Sequence, residues 1–199
     1  VAVTKEVLMN GLSNAHHFRR LVAAWCMIAA PVALLVAMIA RSAIGTSERA
    51  YVIGKVGSPD TGSFWQMALV VALVLMVPVV LGLMHMLRER EVLTGHVGGA
   101  IAMLGLLVLP WALMVGIVVL AYGLYRARAV QSTVALMLAV GAAVLALAAI
   151  TTTEWIAFVG VAALLVGLGS IGMMVLGETD DEWERTPEAP GFRPLPGLH

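Results

Sequence analysis

Apolar residues fill five stretches of this chain, at 21–40, 64–87, 97–125, 129–153 and 155–177, and no Asp, Glu, Lys or Arg lies inside any of them. A hydrocarbon core of about 30 Å is crossed by about 20 helical residues, and all five stretches reach that length. The pattern predicts an all-α polytopic membrane protein, a bundle of five transmembrane helices over residues 21–177. It is flanked by a polar and basic tail at 1–20 and an acidic, Pro-rich tail at 178–199.

Polar punctuation separates the stretches. The string His16-His17-Phe18-Arg19-Arg20 is a membrane-edge anchor before the first. Segment 41–63 is rich in Gly, Ser and Thr with a Pro-Asp turn, and is expected to lie over the helix ends. Residues 88–96 begin with Arg-Glu-Arg-Glu and read as a tight charged turn, and Arg126-Ala127-Arg128 divides the third stretch from the fourth. Only Thr151-Thr152-Thr153-Glu154 joins the fourth to the fifth, so those two helices are expected to be antiparallel neighbours. The tail after residue 177 carries Glu178, Asp180, Asp181, Glu182, Glu184 and Glu188 with four prolines, and is expected to be largely disordered and solvated.

Small residues recur at helical spacing. Ala135, Ala139, Ala142, Ala146, Ala149 and Thr153 share one face of the fourth stretch, Gly160, Ala163, Gly167 and Ser170 one face of the fifth, and Gly95, Gly98, Ala102 and Gly105 one face of the third. Lipid gives helices no hydrophobic reason to associate, so close backbone approach across small residues has to supply the attraction. The fourth and fifth stripes are expected to face each other. Pro31, Pro78 and Pro110 fall near the middle of the first three stretches and predict kinks, with Trp111 filling the volume opened beside Pro110.

Composition agrees with the pattern. The 199 residues are 61% hydrophobic and 12% charged, half of what a soluble domain carries, and the mean hydropathy is +0.97. No run of basic residues offers a nucleic-acid surface. Cys26 is the lone cysteine, so no intramolecular disulfide forms. Val1 in an Ala-, Val-, Leu-, Gly- and Arg-rich chain reads as a GTG start in a GC-rich bacterial genome, with Met9 as the alternative start. The first apolar run exceeds the 7–15 residues of a signal peptide and is read as a retained span. With five spans the termini lie on opposite sides. The Arg19-Arg20 pair favours an internal N-terminus, and the Arg126–Arg128 turn opposes it.

Candidate chemistry is sparse. Ion-coupled carriers and proton relays place ionisable groups within their spans, and none lies there. There is no GxSxG, HExxH, CxxC or phosphate-binding Gly-rich loop, so no catalytic residue and no enzymatic activity are expected. Histidine is where chemistry could reside. His85 and His96, with His16 and His17, fall on one membrane side, where paired imidazoles could ligate haem, or His with Met84, Met86 or Met103 could hold copper. Their place at span ends reads instead as interfacial anchoring, so no cofactor is assigned.

The run from Trp65 through VPVVLGLMHMLRER to GHVGGAIAMLG resembles small multi-pass membrane proteins of GC-rich, actinobacterial-type genomes whose function is unassigned. The resemblance covers about residues 64–106, implies a membrane bundle and carries over no catalytic residue. The sequence thus predicts a multi-pass protein of the bacterial cytoplasmic membrane, an accessory or interaction subunit acting through helix packing. Its expected partners are the lipid bilayer, other membrane proteins or a second copy, and not nucleic acid. A redox subunit using His85 and His96, and a small channel or carrier built from Pro-kinked spans, are the alternatives.

Overall fold

The computed structural model describes residues 2–44, 64–108, 110–151 and 153–183, and the side chains of these except at 2–16, 43, 44, 110, 181 and 182. The connection 45–63 and the tail beyond 183, for which expectations were stated above, lie outside the described residues. The described residues form seven helices: α1 (Ala2–Ile44), α2 (Phe64–Met86), α3 (Val92–Leu107), α4 (Pro110–Ala127), α5 (Ser132–Thr151), α6 (Glu154–Gly177) and the short α7 (Asp180–Trp183). Segments His17–Ser42, Phe64–Met86, Ser132–Thr151 and Glu154–Gly177 are each long and apolar enough to cross a membrane. Only a closed hydrogen-bonding pattern survives without water, and a helix provides one within a single segment. The described residues form a helical, membrane-like bundle whose four long apolar helices are compatible with an integral membrane protein.

The five-span expectation needs one correction, in the third stretch. Residues 97–125 are not one helix but the greater part of two, α3 and α4, of 16 and 18 residues. At 1.5 Å per residue these are about 24 and 27 Å long. Val108 donates its N–H to Leu104 O at 2.9 Å and closes α3. Pro110 then opens α4 in the first helical turn, where its missing N–H leaves no bond unmade and its fixed φ suits the helix. Pro110 therefore starts a helix and does not kink one. Trp111 is 58% exposed at the tip of this hairpin, so it does not fill a kink.

Glycine faces hold the two halves together. A Cβ at Gly98 would stand 3.0 Å from the Leu120 side chain, one at Gly105 would meet the Leu113 backbone, and one at Gly116 the Ala102 backbone. The stripe Gly98, Ala102, Gly105 thus finds its partner in the second half of its own apolar stretch, and backbone packs on backbone where no side chain intervenes.

Consecutive helices are neighbours all the way round, and α6 closes the ring on α1. The centre is filled from α1, α2, α4 and α6 by Met27, Leu83, Leu113, Ile117, Leu164 and Leu168, all with almost no exposure. A cavity of about 30 Å³ remains among Pro31, Leu69, Met76, Leu113, Met114 and Leu164. It is small and its lining is apolar, the kind of cavity that stays dry.

Six antiparallel helices return the chain to the edge it left. The residue-17 end of the first apolar segment and the C-terminal end of α6 are adjacent, Arg20 Nε lying 2.8 Å from Asp180 Oδ1. The expectation that the two ends lie on opposite sides followed from an odd number of passes. It fails because the third stretch folds back.

Candidate functional site at the arginine-rich edge

At that edge the first and last apolar helices are tied by side chains. Arg20 follows the exposed Arg19 on α1, yet it is only 7% exposed. A buried guanidinium needs partners, because an unpaired buried charge is too costly to keep. It donates from Nη1 to Val175 O at 3.3 Å and to Glu178 O, carbonyls at the end of α6. Terminal helix carbonyls lack intrahelical donors, so a cation here completes the helix end. Asp180 adds the ion pair. Its Oδ1 lies 2.8 Å from Nε but off the hydrogen-bonding direction, so the contact is electrostatic. The same carboxylate lies 3.2 Å from His17 Nδ1, and Arg20 Nη2 stands 3.4 Å from that nitrogen.

One step along, α7 places Trp183 against the end of α2. Trp183 is 5% exposed, and its ring stacks on His85 with centroids 4.8 Å apart and planes inclined by 24°. His85 Nε2 lies 3.1 Å from Trp183 O. Residues 180–183, expected within a solvated tail, are a helical turn docked on the bundle. The amide of Trp183 closes that turn by donating to Thr179 O at 3.0 Å.

A second polar group on this edge ties the hairpin. Arg126 Nε lies 3.0 Å from Glu91 Oε1, Arg90 Nη1 donates to Ala127 O at 3.2 Å, and Thr94 donates to Glu91 O at 2.9 Å. Helix α4 is followed by Arg128, whose φ of 54° lies in the left-handed region. Ala129 N–H bonds Leu124 O and Arg128 N–H bonds Tyr125 O, both at 3.1 Å, the paired bonds of a Schellman cap in which Arg takes the place usual for Gly. On the opposite edge Arg41 lies 3.7 Å from Glu154 and 5.9 Å from the Trp65 ring centre.

The histidines weighed as ligands have separate surroundings. His85 belongs to Trp183 and His17 to Asp180. His96 is exposed, and its Nδ1 lies 2.8 Å from Val92 O of its own helix. His16 lies outside the residues whose side chains are described. Among the described residues no group of three or more His, Cys, Asp or Glu is placed to hold a metal ion.

The packing residues occupy the α5–α6 contact unevenly. A Cβ on Gly160 would lie 2.8 Å from the Leu145 side chain, and one on Gly167 would lie 2.9 Å from the Leu138 backbone. Gly141, which the alanine stripe omitted, faces Leu164, whose backbone nitrogen would lie 2.7 Å from an added Cβ. Ala135 and Ala142 are buried, Ala139, Ala146, Ala149 and Ala163 are half-buried, and Ser170 is exposed. The closest approach therefore runs through Leu138, Gly141 and Leu145, one position off the expected stripe, with leucine knobs seated over glycines.

Sequence reasoning missed Arg20, Asp180, Trp183, Glu91 and Arg126 as a connected edge. The available signal was Trp183, one large aromatic in an otherwise acidic and Pro-rich tail. No protein-family model, curated protein or solved structure matches this chain.

Proposed function

We propose that this protein is a non-catalytic subunit of the bacterial cytoplasmic membrane that acts through its helix surfaces on other membrane proteins or on a second copy of itself. The observation that carries this reading is the filled centre of the ring. Large apolar side chains occupy it, and its small cavity is lined by apolar residues. A solute path needs polar lining or a water-filled passage, so a carrier or channel role has no support from this interior.

Orientation follows the charge. Arg19, Arg20, Arg88, Arg90, Arg126 and Arg128 gather at one edge, and Arg41 stands at the other, joined in sequence to Arg49 and Lys55 of the connection 45–63. Six against three favours the first edge as cytoplasmic under the positive-inside rule. Both the residue-17 end of the first apolar segment and α7 are then cytoplasmic.

The test is purification of the full chain from native membranes, with a visible spectrum, metal analysis and an assay of ion and solute flux in liposomes. We expect a colourless, metal-free, flux-silent protein recovered with a stoichiometric membrane partner or as a homo-oligomer. A Soret band, bound metal or protein-dependent flux overturns the proposal, and so does a lone monomer.

A further inference from the structure

Between the start of the first apolar segment and the end of α2, at the arginine-rich edge, lies an open groove of about 250 Å³. Its walls are Val22, Pro78, Leu81 and Gly82, its cationic rim is Arg19, and Trp183 stands at its outer end. Along α1 the groove spans positions 18–23 and along α2 positions 78–85, so it runs about 8–10 Å inward from the membrane edge. That is the depth of lipid headgroups and the first methylenes of their chains.

Arg19 is the neighbour of Arg20 and its opposite in circumstance. Arg20 is buried and held by two carbonyls and the Asp180 carboxylate, whereas Arg19 is exposed and makes no hydrogen bond or ion pair among the described residues. A guanidinium whose donors meet no partner among the described residues, set above an apolar channel, is complementary to one ligand class. It matches a molecule with a phosphate at its head and hydrocarbon behind it. The groove is shallow because Gly82 brings α2 onto Ala23, where an added Cβ would lie 3.1 Å from the Ala23 methyl group. Ala23 and Gly82 form its low floor, and the fully buried Met27 packs against the same Gly82.

We propose that this groove is a site for a single anionic phospholipid, its phosphate held by Arg19 and the upper part of one acyl chain lying along Val22, Pro78 and Leu81. The proposal requires only that the protein resides in a membrane, and it is independent of the subunit role proposed above. Trp183, held in place by His85 and the Asp180–Arg20 pair, forms the outer wall, so the docked α7 turn completes the site.

Native mass spectrometry of the full chain tests it, with phosphatidylglycerol or phosphatidylcholine added to delipidated protein. One phosphatidylglycerol should be retained in preference to phosphatidylcholine. Arg19→Gln should weaken retention about fivefold, the effect of one basic residue at an anionic surface. Leu81→Trp, which fills the groove from its exposed side, should lower retention of both lipids. Arg128→Gln, at the same edge but away from the groove, should leave it unchanged. Excess inorganic phosphate should not displace the lipid, because the chain supplies part of the binding. Equal losses in Arg19→Gln and Arg128→Gln would reduce the effect to general surface charge and overturn the proposal. Equal retention of the two lipids, an unaffected Leu81→Trp, or displacement by inorganic phosphate would overturn it as well. Circular dichroism of each variant confirms that a loss of lipid is not a loss of fold.

Discussion

Arg126 Nε lies 3.0 Å from Glu91 Oε1, so a residue just before the third apolar stretch touches one just after it. A single straight helix over 97–125 would hold its ends about 42 Å apart. The ion pair and the neighbouring Arg90–Ala127 bond close α3 and α4 into a hairpin at the same edge to which the last helix returns. This closure converts an odd number of passes into six antiparallel helices.

Hairpin packing sets the first prediction. A side chain at Gly105 meets the backbone of Leu113, and backbone cannot rotate aside. Gly105→Leu should destabilise the protein by at least the ~1–3 kcal/mol of an overpacked core site, read from the denaturation midpoint in detergent micelles. Leu104→Ala, on the exposed face of α3, should change stability by no more than about 0.5 kcal/mol. Equal effects at the two positions would mean that α3 and α4 do not pack through this face.

How much of this was legible in the sequence differs from helix to helix. Four stretches, near 21–40, 64–87, 129–153 and 155–177, announce themselves because length and lack of charge are all a spanning helix requires. The turn after Leu107 is invisible to that test, since Leu-Val-Leu-Pro-Trp is as apolar as the helices it joins. Its signals were the 29-residue length of the stretch, Pro110 near the middle, and small residues in both halves: Gly98, Ala102 and Gly105, then Gly116 and Gly123. On α5 the small-residue pattern gave a face one position away from the contact. Spacing alone cannot tell alanine meeting alanine from Leu138 and Leu145 seated over Gly167 and Gly160. At the edge, Arg19 and Arg20 read as equivalent anchors. Their difference arises only when the end of α6 arrives to engage one of them.

The Arg20 cluster predicts a graded loss. Arg20→Leu removes the donor from Val175 O and Glu178 O and the cation from Asp180, and should cost about 1–3 kcal/mol. Asp180→Asn removes only the partly exposed ion pair and should cost no more than about 1 kcal/mol. Thermal unfolding in micelles ranks the two, and a larger loss in Asp180→Asn would contradict the carbonyl-capping role of Arg20.

Arg128 supplies a gain. A non-glycine residue in the left-handed region costs about 1–2 kcal/mol, part of which glycine returns as unfolded-state entropy. Arg128→Gly should therefore raise stability by roughly 0.5–1 kcal/mol, with an upward shift of the unfolding midpoint. A neutral or lowered midpoint would mean that the Arg128 side chain contributes more than its backbone costs.

Register between α5 and α6 is open to cross-linking. In a Cys26→Ala background, Leu145→Cys with Gly160→Cys should form a disulfide under mild oxidation, because those positions face each other. Ala142→Cys with Gly167→Cys, which the small-residue stripes place at one level, should not, since Gly167 lies opposite Leu138, one turn away. The reverse outcome would shift the helices by a turn.

The folded-back third stretch is tested most directly by which membrane face its two ends occupy. Single cysteines replacing Arg88 and Arg128, again with Cys26→Ala, are exposed to a membrane-impermeant maleimide in sealed vesicles of known orientation. Both should react in inverted vesicles and neither in right-side-out vesicles, with Ser42→Cys showing the opposite pattern. Labelling of positions 88 and 128 from opposite faces would mean that the stretch crosses once, and the hairpin and the shared arginine edge would be wrong.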